Sequence, residues 1–180
     1  MSAHLPDFEL VPATALDDAE LLRPVLESAV RNPFTGEIVY EDVNSILGSV
    51  PRSQEDMERK YTVVAWSNDE AKALGMMSLM QPDSVMRSFA LGSNPIELTN
   101  AYVLNTVRGL NLGRTLVRHL EERAQEQGHT EIILNSGPRF RPTGWPFWRR
   151  MYGEPVGIAE DYYGPGLSAP VWRKPLSAEE

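Results

Sequence analysis

The sequence contains no cysteine. Disulfide scaffolds, thiolate zinc sites, iron–sulfur clusters and cysteine nucleophiles are therefore excluded. Its three histidines, His4, His119 and His129, are too few and too scattered for a metal site, and none is expected. No apolar run approaches the ~20 residues of a membrane-spanning helix, so no membrane partner is expected. Residues 1–7 show no basic stretch followed by an apolar one, so no secretory leader is expected and the reading is a soluble cytoplasmic protein. An excess of positive charge is also missing. Seventeen Lys and Arg against 25 Asp and Glu leave a net charge of -8. That balance argues against general binding of nucleic acid or anionic membrane.

What is present is the length of one domain, 180 residues, with no repeat, low-complexity tract or linker. A single domain over residues 1–180 is the expectation. Phe8–Val11 reads as a short strand, and the acids Asp17, Asp18 and Glu20 open a helix carried by Leu21, Leu22, Val25, Leu26, Ala29 and Val30. A second short helix is expected over Asp42–Leu47, stopped by Gly48 and Pro51. Tyr61–Trp66 and Ala73–Met80 read as a hairpin across the turn at Ser67–Glu70. Residues 81–95, with Pro82, Gly92 and Pro95, read as a loop with at most a short helical turn. Ile96–Leu104 is another strand.

The hydrophobic period then changes. Leu112, Leu116, Val117, Leu120 and Ala124 share one helical face, with Gly128 as the stop. Glu131–Leu134 reads as a buried strand, and Ala169–Lys174 as a weak last one. Strand, turn, helix and strand over about 40 residues make a βαβ unit. The whole is a mixed α/β (α+β) chain.

The informative junction is Val103–Arg114. A glycine-containing turn there exposes backbone N–H groups at a helix start, where they lack intrahelical partners and the helix dipole is positive. Arg108, Arg114 and Arg118 add charge, and no acid lies between Leu98 and Leu120. Such a turn binds phosphate, although an ordinary helix start would look the same. It is neither a dinucleotide fingerprint nor a Walker loop. The charge along the chain is uneven in the same sense. Residues 1–70 carry 14 acids and 5 bases, whereas residues 97–153 carry 5 acids and 8 bases.

Arg108-Gly109-Leu110-Asn111-Leu112-Gly113, after the strand end Ala101–Leu104 and before Gly113–Val117, resembles the signature of the GCN5-related N-acetyltransferases (GNAT), Arg/Gln-x-x-Gly-x-Gly/Ala. The order of elements on both sides also fits; residues 31–58, 81–95 and 137–146 fit least. The resemblance implies a GNAT-like mixed twisted sheet flanked by helices, with acetyl-CoA as co-substrate in a cleft where two central strands splay. It implies that the amides of Arg108, Gly109, Leu110, Asn111, Leu112, Gly113 and Arg114 hold the pyrophosphate. It also implies that main-chain groups of Tyr102, Val103 and Leu104 pair with the pantetheine and polarise the thioester carbonyl. Asn111 departs from the usual glycine, but asparagine tolerates the left-handed region.

The implied activity is acetyl transfer to an amine of a small-molecule or peptide acceptor. That chemistry needs a proton acceptor for the amine and tolerates a proton donor for the thiolate. Glu97 lies where some family members carry a base; otherwise it is a solvent-facing strand residue, and other members use a water relay. The family's acid tyrosine falls on Trp148, whose indole is no acid, so Tyr152 or water would serve. Trp148 would pack against the pantetheine or belong to the core. Phe34 falls where acceptor-side loops occur. Arg139 belongs to an arginine–aromatic segment, Gly137–Tyr152, that would bind the CoA 3′-phosphate or an anionic acceptor, or else form an ordered loop with arginine–aromatic stacking and ion pairs to the acidic N-terminal half. A nucleic-acid role for that segment is disfavoured by the acidic whole. Tyr162–Gly166 would border the acceptor or an interface between two copies in a homodimer. The rival reading is a non-catalytic acyl-CoA-binding module on the same fold.

Overall fold

A computed structural model describes residues 4–176. Residues 1–3 and 177–180, the two ends of the expected domain range, lie outside the described residues. The fold is mixed α/β, built on seven strands in one mixed sheet ordered β1-β2-β3-β4-β5-β7-β6 and accompanied by helices. The chain groups into two compact units. One is the chain up to Leu79 together with Asn100–Leu120; the other is Met80–Thr99 together with the chain from Glu121 onward.

In the first unit, β1 (Glu9–Pro12) pairs antiparallel with β2 (Lys60–Ser67), Glu9 opposite Trp66 and Pro12 opposite Val63. The expected first helix begins late. A 3-10 turn over Ala19–Leu22 precedes α1 (Arg23–Ala29), because Pro24 is compatible only with the opening turn of an α-helix. Asp18 caps the turn by accepting from the Glu20 N–H. Then follow α2 (Tyr40–Gly48) and α3 (Gln54–Arg59). Helix α3 was not anticipated, although its signal is local. Ser53 accepts from the Asp56 N–H, and Asp56 accepts from the Ser53 N–H, a complete capping box. Strand β3 (Lys72–Met80) completes the expected hairpin. The core gathers Leu22, Leu26, Val43, Leu47, Val64 and Met76, with Tyr102 and Leu104 packed against it.

In the second unit, α4 (Ser84–Arg87) is the single helical turn of the 81–95 loop. Strand β4 (Pro95–Val103) begins in this unit and ends in the first. Helix α5 (Leu112–Glu126) likewise contributes to both. Its C-terminus is a Schellman motif: Gly128 takes φ +76°, its N–H reaches Gln125 O, and the His129 N–H reaches Ala124 O. Strand β5 (Glu131–Asn135) is buried through Leu134 and lies between β4, parallel, and β7 (Ala169–Pro175), antiparallel. The weak last strand is thus an interior one, with Val171 and Trp172 fully buried. A three-residue strand, β6 (Gly157–Ala159), covers its far side. The Gly, Pro, Trp and Arg-rich segment is a helix, α6 (Gly144–Tyr152), for the most part. Pro146 sits in its first turn, where no N–H is needed, and Gly153 at φ +81° ends it.

Candidate functional site

The first group of candidate residues is the turn ahead of α5. A 3-10 turn over Asn105–Val107 leads from β4 to Arg108, which is extended. Gly109 (φ +80°) and Asn111 (φ +67°) both adopt the left-handed region. Turns that alternate right- and left-handed residues gather successive N–H groups on one side, an anion-binding arrangement. Leu112, Leu116 and Val117 are buried and anchor the helix. Nothing lies within 4 Å of where a Gly109 side chain would begin, so the face of the turn is open. Arg108 and Arg114 are exposed; the Arg108 Nε donates to Val103 O at 3.2 Å, and desolvation lowers its pKa.

The strand leading into this turn departs from the expectation at one point. The Leu104 N–H donates to Leu74 O at 2.8 Å, so it is committed to the backbone and is not free to polarise a carbonyl. Gly75 on β3 explains the close approach. A Cβ there would stand 3.0 Å from Tyr102 O and 3.2 Å from the Leu116 side chain. Asn100 (φ +50°) is a left-handed residue inside β4, a local break of the kind that re-aims a strand.

The second group surrounds Glu97. Pairing of β4 with β5 is confined to Pro95–Glu97, with Glu97 opposite Ile133, while β4 continues to Val103. Glu97 therefore marks the place where the two parallel strands cease to pair. It is 5% exposed, not solvent-facing. Pro95–Leu98 are all buried, so the strand is covered on both faces and alternation could not have given the side-chain direction. Desolvation, then the charge of Asp83, push its carboxyl up to about 7 against the lowering effect of an Asn135 hydrogen bond. The Asn135 Nδ2 donates to Glu97 Oε1 at 3.3 Å, and Asn135 Oδ1 accepts from the Tyr163 hydroxyl at 2.6 Å. Asp83 accepts from the Tyr162 hydroxyl at 2.7 Å and from the Met86 N–H at 2.8 Å. Desolvation opposes these bonds, but together with that of the Val85 N–H they hold the Asp83 carboxyl below the usual range. One carboxyl is thus kept charged while the other is poised near neutrality.

The remaining candidates fare differently. Trp148 is 4% exposed and packs between Phe147 (4.8 Å between ring centres) and Tyr152 (5.6 Å), which is a core position. Burial first and the Glu121 carboxylate second push the Tyr152 hydroxyl far above its ordinary pKa, the opposite of what a proton donor needs. Phe34 is 95% exposed at the tip of a turn closed by the Arg31–Ile38 bridge. Arg139 is half-buried in a 3-10 turn, Arg141 lies over the Trp145 ring at 5.5 Å, and Arg149 pairs with Glu154. Stacking within the segment and the ion pair to Glu154, just beyond it, therefore absorb part of its charge; the acid that Arg149 meets is a neighbour and not one from the N-terminal half. Among the described residues, no cluster of three or more His, Asp or Glu could hold a metal ion, and no helix is long and apolar enough to cross a membrane.

Asp83, Asn135, Tyr162 and Tyr163 were not picked out as partners of Glu97. Only the Tyr162–Tyr163 pair carried a signal, as aromatics flanking a turn. Their contacts join residues 28 to 79 positions apart, which no local pattern records.

A mixed sheet whose fourth strand runs on past its last residue paired with β5, then a turn with two left-handed residues and an amphipathic helix, make an acyltransferase fold. The chain belongs to the acetyltransferase (GNAT) family, whose profile matches residues 27–162. Solved structures agree on the fold. A protein assigned to this family from Desulfovibrio desulfuricans superposes with a TM-score of 0.73 at 18% identity, over 95% of this chain and 100% of the other. A PaiA N-acetyltransferase from Thermoplasma acidophilum in complex with coenzyme A gives 0.63 at 18%, over 94% and 99%. An aminoglycoside 6′-N-acetyltransferase complexed with coenzyme A gives 0.62 at 15%, over 96% and 99%. No curated protein matches the sequence significantly.

Proposed function

We propose that the protein transfers an acetyl group from acetyl-CoA to an amine of a small-molecule or peptide acceptor, as one acyltransferase domain. The observation that carries this reading is the turn at Arg108–Arg114, where Gly109 and Asn111 are both left-handed directly before α5. Its open face fits a phosphate-bearing ligand, and two of the structural neighbours are complexes with coenzyme A. Those two neighbours are also named as N-acetyltransferases, which supports an amine acceptor.

Acetyl-CoA supplies the acyl group already activated as a thioester. The amides of Gly109–Arg114 and the charges of Arg108 and Arg114 hold its phosphates; Tyr102 and Val103 offer main-chain groups to its arm. Glu97 takes the proton that an ammonium acceptor must lose before it can attack. A carboxyl poised at about 7 suits that task, because it is half ionised at neutral pH and basic enough to hold the proton. Since the carboxylate is the active form, turnover rises with pH through about 7. The environment of Tyr152 makes it a poor donor, and a thiol of ordinary pKa leaves without one.

Calorimetric titration with CoA tests binding, and thiol release from acetyl-CoA with a panel of amines tests turnover. Saturable CoA binding with thiol release that Glu97→Gln lowers about a hundredfold or more supports the reading. Binding without release from any amine favours the non-catalytic acyl-CoA-binding module, for which Trp148 in the acid's place is the supporting observation.

A further inference from the structure

We propose that Asp83 and Asn135, each held by one of the adjacent tyrosines Tyr162 and Tyr163, are positioning residues that set when and how the Glu97 carboxyl takes up its proton. The inference rests on the reading of Glu97 as the base. Neither residue need touch acetyl-CoA or the acceptor; both act through Glu97.

The Asn135 arm works by hydrogen-bond sense. A side-chain amide offers a donor at one end and an acceptor at the other, and the two ends have opposite effects on a carboxyl. Facing Glu97 with Nδ2, Asn135 favours the carboxylate; facing it with Oδ1, it would favour the protonated acid. The Tyr163 hydroxyl, donating to Oδ1 at 2.6 Å, holds the first orientation. Tyr163 is itself fixed. Its ring lies against Gly137, where a Cβ would stand 3.2 Å from Cε2, and its N–H bonds Leu167 O. Its ring also meets Tyr162 edge to face, 5.1 Å between centres.

The Asp83 arm works by charge. One carboxylate oxygen bonds the Met86 N–H and the other the Tyr162 hydroxyl, so Asp83 stays ionised and its position is held. An ionised neighbour makes a second negative charge unfavourable and delays ionisation of Glu97. The titratable groups coupled to Glu97 are thus Asp83, from the start of α4, whose charge acts on it, and Tyr162, from the turn after β6, on which the Glu97 charge acts; Asn135 on β5 is the neutral donor. The two arms pull in opposite directions, so their removal has opposite signs.

The test is a carboxyl titration of the intact protein labelled with 13C at glutamate, with Glu97 assigned by comparison with Glu97→Gln, run beside a pH–rate profile. Asp83→Asn keeps the helix cap, since asparagine caps as well as aspartate. It is expected to move the Glu97 midpoint down by about 0.5 pH unit or more. Tyr163→Phe is expected to move it up by a similar amount. Asn135→Leu reads the same arm if Tyr163→Phe does not fold. The acid limb of the rate profile follows each shift. Midpoints unchanged in these variants, or moved in the same direction, overturn the inference. The outcome is separable from the parent reading. A rate indifferent to Glu97→Gln removes Glu97 as base while leaving the titration shifts in place. A Glu97-dependent rate with unshifted midpoints overturns the positioning role alone.

Discussion

Asn111 shows how a residue can depart from a family pattern without loss of geometry. It stands at φ +67° where the GNAT signature favours glycine. Asparagine enters the left-handed region at modest cost, whereas a β-branched residue pays about 1–2 kcal/mol there. Asn111→Gly is therefore expected to keep CoA affinity within about threefold, and Asn111→Val to weaken it about tenfold, both read by calorimetry. Tyr152 shows the converse: a plausible residue type in an unsuitable environment. Its hydroxyl is held protonated by burial and by Glu121. Tyr152→Phe is expected to leave the rate of thiol release within about threefold; general-acid loss would cost about a hundredfold.

At the scale of elements, the end of β4 that leads into the turn before α5 depends on how closely β3 lets it approach. Gly75 provides that closeness. An added methyl would meet Tyr102 O at 3.0 Å, a backbone atom that cannot swing aside. Gly75→Ala is expected to destabilise the fold by about 1–3 kcal/mol in urea denaturation, the usual cost of overpacking. It should also weaken CoA binding, because the displaced strand carries Tyr102 and Val103. Much of this scale was legible in advance. The βαβ unit around α5, the Gly128 stop and the strand at residues 131–134 follow from periodicity and turn chemistry. Helix α3 was missed despite its capping box. Helix α6 was obscured by its Gly, Pro and Trp content, because propensity ranks these residues low while tertiary burial of Trp148 outweighs it. The last strand looked weak because only its contact with β5 and β6 gives it an interior place.

At the scale of the whole molecule, Glu97 is a cost to folding. Its carboxyl is raised from 4.5 to about 7, so between those values the folded state binds more protons than the unfolded one. Stability therefore falls as pH rises through that window and stays reduced above it. Glu97→Gln is expected to be more stable than the parent at pH 8, by at most about 3 kcal/mol, with the difference vanishing near pH 4.5. Parallel denaturation curves at the two pH values check this. A stabilising change that lowers turnover is the pattern expected of a functional residue.

The sequence by itself determined the class of protein. The residues Arg108–Gly113 and the change of hydrophobic period at α5 are local facts, and local facts suffice to place a glycine-containing turn between a strand and a helix and to carry the resemblance to the family. Through that resemblance it also pointed to Glu97, at a strand position where some members of the family carry a base. Only the tertiary structure decided what that acid is. The depth of its burial, the carboxylate of Asp83 beside it, and the Asn135 amide held by Tyr163 come from segments distant in the chain. A proton affinity depends on what surrounds a group in three dimensions, and that is set by folding, not by sequence neighbours.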